Sequence, residues 1–321
     1  MGLVAIPEDQ PHLQDYLPRA ALRNSYLMNG ILALSALELA RASETPAIYL
    51  PAAIEYSNKA SADFRVQLCN ITRDNLHLLY YFAMIAATFN FALPPEQMTA
   101  IDRIGIAFDM VIGATAIATT NIQWLMDSPM SLEIVLGLGL ASMDILDSET
   151  VRAIGYMVSV SSQMSPKLIT EEKETVKVEI GGKEQDIPCP PVSEQFMYWL
   201  AIAHLKYCFA EDARGLIKGY CMTFIPLSGM DFIWAVRRKE PVALFVLIYF
   251  GVLMHRYGEQ TKAWWIRTTG RDLVNEASEI LLQSPVAMME EGREGIAWTR
   301  RQVGLPPLLM EGVVCPQDLV L

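Results

Sequence analysis

Asp109 stands in the stretch GIAFDMVIGATAIATT, where nearly every neighbour is apolar. A lone carboxylate in such surroundings is costly to bury unless it is paired or protonated, so two roles stay open. One is a protonated acid or a partner for a ligand hydroxyl; the other is an ion pair or cap to a neighbouring helix. His204, in YWLAIAHLKYC, shares a helical face with Leu200, Ala201 and Cys208. An imidazole there either polarises a ligand carbonyl or moves a proton near neutral pH, or it is a satisfied core residue. Tyr198 and Tyr249 add hydroxyl donors in apolar stretches. Asp109, His204, Tyr198 and Tyr249 are therefore the candidate catalytic set. The chemistry such a set supports needs no cofactor: a reactive substrate is held folded near its attack geometry and offered an acid or a hydrogen-bond donor.

A second group of residues speaks to ligand class. Seventeen methionines supply thioethers that adapt to irregular apolar shapes, and most of them serve core packing. Beside aromatic residues they also suit a pocket for a rigid polycyclic guest. Met84, Phe89, Met110 and Tyr156 are candidate ligand contacts, as are Met197, Trp199, Trp234 and Phe245. The sequence has no GxGxxG opening a strand-to-helix turn, no P-loop, no GxSxG elbow and no HExxH. No cofactor and no metal site is expected. The five cysteines are odd in number and widely spaced, which reads as reduced thiols rather than a zinc or disulfide frame.

These side chains must be positioned by an oily chain. Hydrophobic residues make up 52% of the 321, and mean hydropathy is +0.25. So much apolar surface has to be hidden in a core, around a ligand or against a partner. The longest uninterrupted apolar run, PVALFVLIYFGVLM, is shorter than the roughly 18 residues a bilayer span requires, so no membrane span is expected. A net charge of −11 without a basic stripe excludes direct nucleic-acid binding by charge. The opening MGLVAIPEDQ carries no basic segment leading into an apolar one, so an intracellular protein, cytoplasmic or nuclear, is expected.

Helical periodicity organises most of the chain. Residues 25–42 are apolar around most of a helix circumference, which predicts a buried core helix, with Ser25 as its N-cap and Gly30 admitting a close neighbour. Further helices are predicted over 49–69, 73–91, 97–126 (one or two), 131–140 and 144–164. Between 171 and 191 the period breaks into alternating valines and charges around Gly181-Gly182, a hairpin or a mobile loop. Helices resume at Ser193 and run in pieces to Gly304, punctuated at Pro226, Pro241, Gly258 and Pro285. The expected fold is all-α: one large domain of about twelve helices over 25–304, with a small β-prone insertion near 174–188. Residues 1–24 form an N-terminal extension and 305–321 an irregular tail.

Several blocks resemble the fungal-specific transcription factor domain, in particular its sterol uptake control subgroup. They are LPRAALRNSYLMNGILALSALELARAS, YLPAAIEYSNKASADFRVQL, IDRIGIAFDMV with WLMDSPM, and VALFVLIYFGVLMHRY with IAWTRRQVG. Their order from Leu17 to Gly304 carries the resemblance more than any single block does. It implies an all-helical effector domain that encloses a hydrophobic ligand and reports its presence. It also assigns His255 and Arg256 to a structural motif. Members normally carry a six-cysteine zinc cluster that binds DNA, and none is found here. Asn29 and Glu38 stand where many relatives have histidine, and Ser25-Tyr26 replaces a His-Pro-aromatic run.

The expected function is a ligand-binding effector-type domain for a sterol, terpenoid or polyketide that does not itself bind DNA, standing alone or as a homodimer or heterodimer through its helical surface. The alternative is an enzyme of secondary metabolism that catalyses a cofactor-free cyclisation in the same pocket.

Overall fold

Pro18, Pro46 and Pro241 each open a helix, in a first turn where the missing backbone N–H has no intrahelical acceptor to lose. The structure is a computed structural model that describes residues 15–94, 98–127, 143–165, 175–180, 183–188, 194–215, 220–266 and 268–308. Its described residues are all-α apart from one two-stranded ribbon.

The N-terminal core is built by α1 (Leu17–Ala21), α2 (Ser25–Ala42), α3 (Pro46–Gln67) and α4 (Leu76–Ala92). Leu27, Leu34, Leu37, Leu76, Leu79 and Phe82 meet inside it. Gly30 has the expected role, since a Cβ there would stand 3.1 Å from the Phe82 ring. Leu17 and Ala21 are buried in this core too, so the helical body begins before residue 25. Two expectations for α2 need correction. The helix packs on α1, α3 and α4, and among the described residues nothing covers its remaining side, so Leu39 is 51% exposed and Leu32 also meets solvent. Ser25 is the first helical residue rather than the cap, and its hydroxyl donates to Asp63 at 2.7 Å.

α5 (Ala100–Thr120) ties this core to the next, sending Ile117 into the first and Ile104 and Phe108 into the second. Thr99 caps it by accepting from the Asp102 N–H. The chain breaks after Thr120, where Asn121 caps the short α6 (Ile122–Met126).

The C-terminal core is organised by α11 (Pro241–Thr261), with α7 (Ser148–Met164), α8 (Glu194–Arg214), α9 (Phe224–Leu227), α10 (Met230–Arg237), α12 (Thr269–Leu281) and α13 (Glu290–Gln302) arranged about it. Every residue from Val242 to Met254 is buried. This helix is long and apolar enough to cross a bilayer, and 83% of its most apolar window lies inside the protein. Gly251 and Gly270 let α11 and α12 touch backbone to backbone; a Cβ on Gly251 would lie 3.1 Å from the Gly270 carbonyl oxygen. Gly258 does not interrupt the helix as expected: it is buried within α11, which ends at Lys262 in a left-handed conformation (φ 55°).

The β-prone insertion is paired. β1 (Thr175–Ile180) runs antiparallel to β2 (Lys183–Pro188), with Thr175 opposite Pro188 and Ile180 opposite Lys183. The expected glycine turn, the helix expected over 131–140 and the tail beyond 308 lie outside the described residues.

Candidate functional site

α7 has a well-fixed start. Asp147 accepts the Thr150 N–H at 2.8 Å and the Thr150 hydroxyl at 2.7 Å, and these bonds hold its carboxyl below the ordinary range. From there the helical repeat turns Ala153, Met157 and Val160 into the core and leaves Val151, Gly155, Val158 and Ser162 on the outer side. α8 runs beside it, with Leu205 and Phe209 inward and Trp199 and Lys206 along the flank.

Between the two helices lies an apolar groove. Its wider part, about 700 Å³, is lined by Leu146, Val151, Ile154, Gly155 and Val158, with Asp144, Ser159 and Lys206 as its polar groups. Its narrower part, about 140 Å³, lies between Val158, Ser161 and Ser162 on one side and Trp199, Ile202, Ala203 and Lys206 on the other. Val158 and Lys206 line both parts, which makes them one continuous trough. Gly155 leaves room in it, because a Cβ there would meet nothing within 4 Å. Trp199 is 61% exposed and stacks on Phe196, which is 49% exposed, with ring centroids 5.8 Å apart. Valines 151 and 158 are also exposed. Apolar surface left in water costs about 25 cal/mol per Å², so covering this strip is favourable.

The four catalytic candidates do not converge on the groove or on each other. Asp109 is about one-third exposed and forms an ion pair with Arg237, which stacks over Trp234 with its guanidinium carbon 4.8 Å from the ring centre. Tyr198 is buried and donates to Glu240 at 2.7 Å. Tyr249 is fully buried, donates to the Ala153 carbonyl at 2.9 Å and stacks on Trp298; burial pushes its hydroxyl pKa well up. His204 is half-buried on α8, and burial lowers its pKa and favours the neutral ring. Hydrogen bonds and ion pairs thus use Asp109, Tyr198 and Tyr249 to fasten helices.

The eight ligand-contact candidates are spread as well. Met84 and Phe89 belong to the N-terminal core, whereas Met110, Tyr156, Met197 and Phe245 belong to the C-terminal one. Trp234 is on the surface under Arg237, and Trp199 alone of the eight lines the groove. Val151, Gly155, Val158 and Lys206 were not anticipated from the sequence. Their signal was available in the recurrence of Val151, Gly155, Val158 and Ser162 on one helix and Phe196, Trp199, Ala203 and Lys206 on the other, each at three- and four-residue steps.

Cys208 and Cys221 are free and buried. Burial raises the Cys208 thiol to about 12 and pushes the Cys221 thiol well above its ordinary value, which leaves both as neutral, poor nucleophiles. Among the described residues no group of three or more His, Cys, Asp or Glu is placed to hold a metal ion. The chain matches no family model, no curated protein and no solved structure.

Proposed function

We propose that the protein is a binding module that takes an apolar small molecule of the sterol, terpenoid or polyketide kind into the α7–α8 groove. The observation that carries this reading is the trough itself: an apolar floor, an exposed stacked aromatic pair at one end and few polar groups. Its wider part lies within the range of roughly 300 to 1,000 Å³ over which small-molecule clefts occur. A role as a responsive effector domain rather than a catalyst rests on the resemblance to the fungal regulator domains. It also fits the absence of a convergent acid or donor set among the described residues. A guest seated between α7 and α8 acts by favouring whichever arrangement of those helices binds it better.

Gly155→Trp fills the groove at a position with open space around it. Titration of a sterol and a terpenoid alcohol should raise the unfolding temperature of the wild type and leave that of Gly155→Trp unchanged. An equal rise in both proteins, or in neither, would remove the groove as the binding site.

A further inference from the structure

We infer that the guest carries an anionic group and that Lys206 receives it; this rests on the groove being the binding site. Among the described residues Lys206 is the only cationic side chain lining either part of the groove, and it stands where the two parts join. It is half-buried, and no ion pair or hydrogen bond engages it among the described residues. Its situation is unusual within this chain, which has 36 acidic residues against 25 basic ones. Arg103, Arg214, Arg237, Arg238 and Arg256 all pair with carboxylates. An ammonium held against apolar walls, with part of its water removed, gains more from an anion than one standing free in solvent.

The remaining polar groups set the direction of such a guest. Asp144 lines the wider part only. Among the described residues the narrower part has no acidic side chain, and it adds Ser161 and Ser162 beside Lys206. An amphipathic monoanion therefore places its charged end at Lys206 toward the serines and lays its apolar body along Val151, Gly155 and Val158. Within the sterol, terpenoid and polyketide range, the guest held most tightly is a small hydrophobic acid, such as a terpenoid or polyketide carboxylate, and neutral members bind the same groove more weakly.

A matched pair of fluorescent probes tests this: anilinonaphthalene sulfonate, which is anionic, and N-phenyl-naphthylamine, its neutral counterpart. Both should bind the wild type, and both should be lost in Gly155→Trp. Lys206→Met should weaken the sulfonate about fivefold and leave the neutral probe unchanged, with Lys206→Arg close to wild type. Added salt should weaken the sulfonate alone. Binding of both probes that is unchanged in Lys206→Met, or reduced equally, overturns the role of Lys206 while leaving the groove in place. Neutral-probe binding that survives Gly155→Trp, or is missing from the wild type, overturns the groove and this inference together.

Discussion

α11 and the α7–α8 groove are made from the same kinds of residue and end in opposite environments. In α11 the apolar side chains point in every direction, and α7, α8, α10, α12 and α13 cover them, so Ala243 to Phe250 have no exposed surface at all. Val151, Val158 and Trp199 are as apolar, yet between the described parts of α7 and α8 nothing covers them, and an open trough remains. Burial is therefore decided by how many neighbours a helix has rather than by how oily it is. The groove is where the chain's apolar excess is left available for a guest.

Substitutions that behave differently in the two regions put this contrast at risk. The largest effect belongs to the core: Phe245→Ala should cost about 3–5 kcal/mol in denaturant unfolding, because a fully buried ring leaves a cavity among packed helices. Glycines should then respond with opposite signs. A methyl on Gly295 would press into the Phe245 ring and the Tyr249 hydroxyl, so Gly295→Ala should destabilise by about 1–3 kcal/mol. Gly155→Ala meets open space in a helix interior and should stabilise by about 0.5–1 kcal/mol. Two losses of similar size would erase the distinction between packed core and open groove.

Smaller effects sharpen it. Asp109→Asn removes an ion pair whose partners are each about one-third exposed, so unfolding should shift by less than about 1 kcal/mol. The shallowest expectation concerns pH. Burial depresses the pKa of both His204 and His255 in the fold, so the unfolded chain takes up these protons first. Stability from these groups is full above about pH 6.5 and is lost as pH falls through the lower folded values. His204→Gln should flatten that decline in thermal unfolding measured as pH is lowered from about 6.5; an unchanged slope would show that His204 is not desolvated.

Much of the fold was legible because helical period and breakers act locally. Residues 25–42 form a helix with those bounds, Pro241 opens α11, and the alternating stretch near 174–188 pairs as strands. What could not be read depends on neighbours. Most of the circumference of α2 is apolar in the sequence, but its solvent side is set by which helices stop short of it. Asp109 stood alone in the chain because Arg237, its partner, is 128 residues away. The groove went unread for the same reason, since it arises from two helices lying side by side with Gly155 and Ala203 between them. Trp199 was named for its aromatic ring, and only the structure places that ring at the rim of a trough.

The most direct test of the account is photolabelling with an apolar diazirine probe, followed by peptide mapping of the adducts. The account predicts adducts concentrated on α7 and α8, around Val151 to Ser162 and Trp199 to Lys206, and their loss in Gly155→Trp. Labels centred instead on the exposed side of α2 near Leu32 and Leu39, or spread evenly over the surface, would contradict it.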